Sequence, residues 1–480
     1  MANKNFTITI DKLGQGGLTN QYWKEEYRFF GNANQLSDCT SIDLTDPDFI
    51  YQGAGLATLT NGSQAGNVQT LIKGISKNVV ASDSIYGVGG ASLYPISSTT
   101  VSTAHTINHP SKTSEDGEDV ALYSGELFYS YNHNTGGDIG KYDLSSTYDD
   151  DWWTDTAGGD ELEDAPHQMV VAGTSGVIFI ANGQYVATWN GTTATADDFD
   201  TKDDDNVISS VQWANNRLYI SANKPNVTGN NRNEASIYIW DGNDVSWESQ
   251  VKINGRVGAL FTHNNTVYVF YQENVSEGVI TLGVTDGYQI REVEKFEGTL
   301  PEYYQISEYK GFTIFASGQD IFAFGSSDTR TPTRLFKLSQ GKYTTSGGLT
   351  NAFGTPMIAS NATTNYDLSK FSGYSTDATC KTTNIDVTIG HRDATIKKVI
   401  FNFEKLATNA RVDVTFKDNK GTSLETCTIS HTTLGAVTQY IPTLLFGCEN
   451  LRMELDYSNG DTTNTVKLRS IILYGTTREQ

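Results

Sequence analysis

The sequence predicts an all-β protein: a six- or seven-bladed β-propeller with an N-terminal extended arm and a C-terminal β-sandwich of the jelly-roll type. Its main sign is a repeated pattern of two short β-branched and aromatic runs around a Gly, Asn or Asp turn. The pattern occurs at residues 84–97, 121–145, 176–191, 217–242, 266–287 and 312–326. The repeats follow one another at about 40–50 residues, which is the length of a four-stranded blade.

The composition supports many short strands joined by turns. The 480 residues include 45 Gly, 25 Tyr and 21 Phe, but 9 Pro and 4 Met. Strands are enriched in aromatic residues, and turns in Gly, Asn and Asp. No window shows a sustained helical period of apolar residues, so long helices are not expected.

The net charge and the length of the apolar runs indicate which classes of partner the protein can bind. A net charge of −22 argues against an outer surface that binds nucleic acid through counterion release, so no sequence-specific nucleic-acid partner is predicted. No run approaches the roughly 18 apolar residues of a membrane-spanning helix, and the first residues lack the apolar stretch of a signal peptide. We therefore expect no membrane span and synthesis in a bacterial cytoplasm.

Turns and strand patterns indicate how the chain is divided into domains. Asn182-Gly183 is expected to form a type I′ turn, and Gly89-Gly90 the same. A seventh blade would need a strand from residues 40–80 to pair with one from about 335–358, so six and seven blades both remain open. The predicted domains are residues 1–80 for the arm and the closing strand, 81–358 for the propeller and 360–480 for the sandwich.

The C-terminal strands are longer and alternate between apolar and polar residues. They are residues 381–389, 397–404, 410–417, 425–430, 438–444, 451–457 and 467–474. Seven alternating strands within about 100 residues are typical of a β-sandwich.

The arm has an aromatic centre with Trp23, Tyr27, Phe29 and Phe30. These rings are candidates either for docking the arm onto the propeller or for contacting a neighbouring subunit.

Four cysteines are widely spaced: Cys39, Cys380, Cys427 and Cys448. None lies in a CxxC or Cys/His metal-binding spacing. Free buried thiols are expected, and a Cys380–Cys448 or Cys427–Cys448 disulfide is the alternative.

No motif predicts catalysis. The seven histidines show no His-x-x-His or HExxH spacing, and there is no GxSxG elbow or phosphate-binding loop. The acidic stretches at residues 149–151 and 197–205 do not follow the order of an EF-hand loop. We predict no catalytic residue, no metal ligand and no cofactor, with Ca²⁺ in an acidic loop as the alternative to a solvated loop.

Trp152 and Trp153 stand beside aspartates. An exposed pair of this kind can stack on a sugar, whereas tandem Trp in a strand more often places one ring in the core. The pair is therefore a candidate glycan contact.

The order of the parts resembles a known class of proteins. The string TTNIDVTIG at residues 382–390 is followed by Lys397-Lys398-Val399, and residues 56–66 read LATLTNGSQAG. With the propeller before them, these strings resemble structural proteins of tailed-bacteriophage virions, including propeller-bearing tail proteins such as nozzle proteins. The chain is shorter than many nozzle proteins. The resemblance implies a building block present in several copies, without active-site residues.

We therefore expect a non-enzymatic structural component of a bacteriophage virion, most closely a tail-associated protein that forms a symmetric ring. Its expected partners are other virion proteins and copies of itself, and its expected location is the virion. Two alternatives remain: a receptor-recognition protein that binds host cell-surface glycan, and a propeller-fold glycan-active enzyme, which would need converging carboxylates.

Overall fold

The computed structural model confirms the predicted all-β fold and resolves the number of blades to seven. It describes residues 3–11, 13–15, 17–18, 35–62, 68–76, 83–172, 176–224, 234–274, 277–326, 334–342, 344–361, 366–387, 394–434, 438–441, 443–457 and 462–478. Seven antiparallel four-stranded sheets form the propeller, and two further sheets form the sandwich. No helix in these ranges is long and apolar enough to cross a membrane.

The first four blades follow the chain, each with its strands in sequence order from the channel outward. Blade one contains Gly74–Ile75, Ile85–Gly89, Ser92–Ile96 and His105–Thr106. Blade two contains Asp116–Tyr123, Glu126–Asn132, Gly137–Tyr142 and Tyr148–Asp149. Blade three contains Met169–Val171, Ile178–Asn182, Tyr185–Trp189 and Ala194–Asp200. Blade four contains Val207–Ala214, Arg217–Lys224, Glu234–Trp240 and Ser249–Asn254.

The remaining blades complete the ring. Blade five contains Arg256–His263, Thr266–Gln272, Val279–Thr285 and Ile290–Glu297. Blade six contains Ile306–Tyr309, Phe312–Ser317, Asp320–Gly325 and Arg334–Gln340. Blade seven contains Thr345–Ala352, Thr355–Asn361, Tyr366–Tyr374 and, as its outer strand, Ala54–Thr58. The six repeats seen in the sequence supply the second and third strands of blades one to six.

The N-terminal part of the chain closes blade seven. Thr58, Ala57 and Leu56 lie opposite Ser369, Lys370 and Phe371. The closing strand comes from the predicted range, but its partner lies further along the chain than 335–358. The propeller therefore extends to residue 374, and the predicted boundary at 358–360 falls inside its last blade.

The predicted hairpins form with a different turn. At Asn182-Gly183, Asn182 ends a strand, and only Gly183 has a positive φ, 58°. The Asn182 side chain accepts from Glu163 N at 2.7 Å and donates to Ala196 O at 2.9 Å, which keeps Asn182 in the strand. Glycine alone at positive φ, followed by Gln184, is the type II′ pattern rather than type I′.

Polar side chains join several neighbouring blades around the channel. Met169 N donates to Asp119 Oδ2 at 2.8 Å, and Val211 N donates to Gln168 Oε1 at 2.8 Å. The acceptors stand about one blade repeat apart, on or beside the innermost strands.

The same bond recurs further around the ring. Leu260 N donates to Ser210 Oγ at 3.0 Å, and Asn351 N donates to Ser307 Oγ at 2.9 Å. Each bond joins the first strand of one blade to that of the next, so the inner wall is held together by hydrogen bonds as well as by apolar packing.

Both ends of the chain build the sandwich. Its first sheet contains Asn3–Asp11, Leu468–Arg478, Ala394–Phe403, Gln439–Tyr440 and Thr443–Cys448. Its second sheet contains Leu36–Thr40, Thr379–Thr382, Ile385–Asp386, Asn450–Asp456, Arg411–Lys417 and Ser423–Ser430. The predicted arm thus supplies an outer strand to each sheet, because its alternating apolar residues, Phe6 and Ile10 among them, are buried against the sandwich core.

Short elements complete the described structure. A two-stranded ladder joins Ile42–Asp43 to Tyr51–Gln52. A π-helical turn spans Trp152–Thr156, a 3-10 turn spans Tyr303–Gln305, and one α-helical turn spans His431–Leu434.

Arg334, at the start of the outer strand of blade six, joins the propeller to the N-terminal segment. Its guanidinium donates to Leu44 O and Gln15 Oε1, and Leu18 N donates to Leu335 O at 2.9 Å. The apolar core of the sandwich is continuous with that of blade six. The two parts therefore share one core.

The inter-blade bonds can be tested at Ser210. Ser210→Ala should lower the free energy of unfolding by about 1–3 kcal/mol, because it leaves the buried Leu260 N–H without its acceptor. Ser146→Ala, at an exposed position of blade two, should change it by less than about 0.5 kcal/mol. Urea unfolding of both variants measures the difference, and equal values would contradict a structural role for the ring of bonds.

Candidate functional site

The channel of the propeller contains a cavity of about 280 Å³. The first strands of several blades line it, together with Tyr303 and Tyr304 from the connection between blades five and six. A second cavity of about 330 Å³ shares Gln212 and Ile306 with the first. The channel is therefore the first place to look for a ligand or a reaction.

Tyr303 reaches across the channel. Its hydroxyl donates to Glu118 O of blade two at 3.1 Å. The 3-10 turn that carries it is anchored by Gln305 Nε2, which donates to Ser346 O at 2.6 Å. Burial raises the pKa of Tyr303 well above its usual value, so the phenol stays protonated at neutral pH and acts as a donor. The side chain therefore links the connection before blade six to blade two.

The carboxylates of the channel wall are engaged in structural bonds. Lys73 Nζ lies 2.7 Å from Glu118 Oε1 and 2.9 Å from Asp116 Oδ2. Burial raises the pKa of Glu118, although Lys73 lowers it. Asp119 accepts Met169 N with one oxygen and Val120 N with the other, both at 2.8 Å. Neither carboxylate is placed as a catalytic base by these contacts, since each holds a neighbouring group of the wall.

A pair of buried histidines lies beside blade two. The rings of His109 and His133 are 5.4 Å apart at an angle of 64°. Ser111 N donates to Nδ1 of His109 at 3.1 Å, and Thr135 N donates to Nδ1 of His133 at 3.3 Å. An Nδ1 that accepts carries no proton, so each neutral ring is protonated at Nε2.

This protonation directs both Nε2–H groups toward carboxylates. Nε2 of His109 lies 3.3 Å from Asp138 Oδ2, and Nε2 of His133 lies 3.6 Å from Glu161 Oε1. Burial raises the pKa of Asp138 to about 6. A protonated Nε2 offers no lone pair to a metal, and among the described residues no group of three His, Cys, Asp or Glu side chains could hold one.

The acidic stretches also have partners within the protein. Asp150 accepts from His105 Nε2 at 2.9 Å and from Tyr129 Oη at 2.5 Å. In the second stretch, Asp203 pairs with Lys224 at 3.0 Å. These bonds join neighbouring strands and loops, so Asp150 and Asp203 each have partners within the protein.

Trp152 and Trp153, the predicted glycan anchors, lie in the core. The π-helical turn places both rings between blades two and three, with 3 % of Trp152 and 0 % of Trp153 exposed. Nε1 of Trp153 donates to Asp160 O at 2.9 Å. A ring must expose a face to stack on a sugar, so the prediction of a glycan contact here is wrong.

The predicted arm contacts Trp23, Tyr27, Phe29 and Phe30 lie outside the described residues. Sequence reasoning missed Tyr303, which lines the channel cavity and bonds to blade two. A signal was present, because Glu302 and Gln305 form a capping box that fixes a turn between two blades. It also missed that residues 3–11 and 36–40 are strands of the sandwich.

No protein-family model matches the sequence, and no curated protein matches it. Among solved structures, the extracellular domain of BT4673 from B. thetaiotaomicron is 13 % identical, with a TM-score of 0.45 over 75 % of this chain and 43 % of that one. The chain thus spans less than half the length of that protein.

Two further structures are similar over more of their own length. YCF48 bound to D1 peptide is 9 % identical over 70 % of this chain and 97 % of that one, with a TM-score of 0.43. An exo-β-1,3-galactanase from Phanerochaete chrysosporium is 11 % identical over 88 % of this chain and 99 % of that one, with a TM-score of 0.34. Likenesses this low carry no argument about function.

His167, near the histidine pair, is fully buried and sets a pH dependence. Its Nδ1–H donates to Ala181 O at 2.8 Å, and Gly137 packs directly against Nε2. Burial lowers the pKa of His167 to about 4 from an ordinary 6.5. Between these values the unfolded chain binds the proton and the folded protein does not, so stability falls as the pH drops from 6.5 to 4.

We expect His167→Gln to reduce the fall in the free energy of unfolding between pH 6.5 and pH 4 by about 3 kcal/mol. This holds whatever the substitution does to the stability at pH 7. Ser146→Ala, which removes no titratable group at its exposed position, should leave the slope as it is. The raised pKa of Asp138 gives the opposite slope in all three proteins, so it cancels in the comparison. Urea unfolding at several pH values measures the slopes, and an unchanged slope in His167→Gln would contradict the assignment.

Proposed function

We propose that the protein is a non-enzymatic structural component of a tailed-bacteriophage virion that assembles with copies of itself into a ring. The observation that carries the proposal is an open sheet edge. The N-terminal strand Asn3–Asp11 is the last strand of the first sandwich sheet, paired on one side with Leu468–Arg478. Within the described ranges, no backbone bond reaches its other side.

This edge is long and regular. The register with Leu468–Arg478 runs without a bulge from Asn3 to Asp11. Proteins usually protect such edges with bulges, prolines or several charges, because unpaired N–H and C=O groups accept another strand. Here Thr7 and Thr9 are exposed and Ile10 is buried, so an added strand would find backbone partners beside an intact core.

The geometry of the contact between two copies decides which kind of assembly forms. If the edge of one copy pairs with the same edge of another, assembly stops at a two-fold dimer. If it pairs with a different surface of the next copy, the contacts continue from copy to copy, and they close into a ring where the rotation between copies closes and form a filament where it does not. The proposed ring therefore requires the second arrangement.

The alternatives have less support. The glycan-binding alternative loses its two named anchors, since Trp152 and Trp153 are buried. The glycan-active enzyme needs converging carboxylates, whereas Glu118 and Asp119 are engaged with Lys73 and with backbone N–H groups.

Quantitative mass spectrometry of gradient-purified particles tests the virion role. Copies per particle are measured relative to the major capsid protein. A small number such as about six or twelve is expected for a ring. Hundreds of copies would replace the ring with a capsid decoration, and absence from purified particles would overturn the proposal.

Positively charged side chains on the strand Asn3–Asp11 should block pairing at the open sheet edge. The double substitution Thr7→Lys and Thr9→Lys should weaken self-association roughly tenfold or more, because lysines on an edge strand prevent pairing. Both positions are exposed, so thermal unfolding should be unchanged. Thr103→Lys, at an exposed loop position of blade one, should assemble like the unsubstituted protein. Sedimentation velocity reports the result, and normal assembly of the double variant would exclude this edge.

A further inference from the structure

Two cysteines lie opposite each other on neighbouring strands of the second sandwich sheet. Cys39, on the outer strand Leu36–Thr40, lies directly opposite Cys380, on Thr379–Thr382. We propose that these two thiols form a disulfide when the folded protein meets an oxidising solution. The inference does not depend on the proposed ring.

The sheet geometry permits the bond. Residues directly opposite in an antiparallel pair have Cα atoms about 4.5 or 5.5 Å apart, and both values lie inside the range of disulfides, about 4.4–6.8 Å. Opposite residues also point to the same face of the sheet. Cys39 is 1 % and Cys380 is 0 % exposed, so both thiols lie on the buried face.

Flanking bonds fix the register of the pair. Lys381 Nζ donates to Asp38 Oδ2 at 3.1 Å, and Ser37 Oγ donates to Thr382 O at 2.9 Å. A slip by one residue would turn a cysteine to the other face. Both contacts lie on one side of the pair, and on its other side Thr40 lies opposite Thr379, which continues the pairing that places the thiols opposite each other.

The disulfides that the sequence left as alternatives are placed less well. Cys427 lies in the second sheet opposite Val414, and Cys448 lies in the first sheet opposite Ala394. A Cys380–Cys448 or Cys427–Cys448 bond would therefore have to join two sheets. All four cysteines are free thiols in this structure.

The position of the pair gives the bond a consequence. Cys39 precedes the closing strand Ala54–Thr58, and Cys380 follows its partner Tyr366–Tyr374. A bond between them encloses all seven blades in one covalent loop. The bond would stabilise both the closed propeller and the pairing of the outer strand of the second sheet.

The chemistry balances with a disulfide oxidant such as oxidised glutathione. One cysteine thiolate attacks the glutathione disulfide and releases one reduced glutathione. The second cysteine thiolate then attacks the mixed disulfide and releases the other, and the two thiol protons pass to the released thiolates. Burial raises the pKa of Cys39 to about 12, so reaction requires opening of the outer strand and is slow in the closed state.

The test uses the full chain under native conditions. The protein is incubated with oxidised glutathione at pH 8, with and without urea below the unfolding transition, then alkylated, digested and analysed without reduction. We expect a linked peptide pair containing Cys39 and Cys380, and an upward shift of the urea midpoint that a reductant reverses. Complete oxidation without this linked pair, or with another pair in its place, would overturn the proposal.

Two variants separate the bond from general effects of oxidation. Cys380→Ser should lose both the linked pair and the shift of the midpoint. Cys427→Ser should keep both. If Cys380→Ser does not fold, the linked peptide in the unsubstituted chain still decides the question, since it is detected directly.

Discussion

Closure of the propeller depends on one ladder, the pairing of Ala54–Thr58 with Tyr366–Tyr374. Blades one to six each form from consecutive chain, but blade seven lacks an outer strand until the N-terminal segment supplies it. The segment before blade one must therefore run round to blade seven. This return brings Leu36–Thr40 beside Thr379–Thr382, so a sandwich built from both chain ends follows from the closure.

The inner wall has a second constraint. Innermost strands of a ring approach closely, and their polar groups are buried, so each donor and acceptor needs a partner. Side chains such as Gln168 and Ser210 supply acceptors for the next blade, and Asp119 does the same. The carboxylate of Asp119, which lines the channel cavity, is thus used to join two blades. Polar character in this channel reflects how the ring is held together.

The sequence was informative where structure is local. Period-two runs and glycine turns located the second and third strands of six blades, because a hairpin is encoded within about 15 residues. Pairings over hundreds of residues left no local trace, so the partner of Leu56, the sandwich strand at Phe6 and the facing pair Cys39–Cys380 were not predicted. Trp153 was misplaced for a related reason. Whether an aromatic ring is exposed depends on the neighbouring blade, which the local sequence does not describe.

The net charge of the protein limits which of its surfaces can contact another copy. At physiological salt, repulsion between surfaces is screened beyond about 8 Å, but two paired strands lie only about 4.8 Å apart. A net charge of −22 therefore acts strongly on any direct strand contact. The strand Asn3–Asp11 contains one Lys, Lys4, and one acid, Asp11, and so has no net charge. An open edge without net charge adds little repulsion of its own to a contact at strand spacing, which joins the electrostatics of the protein to its sheet topology.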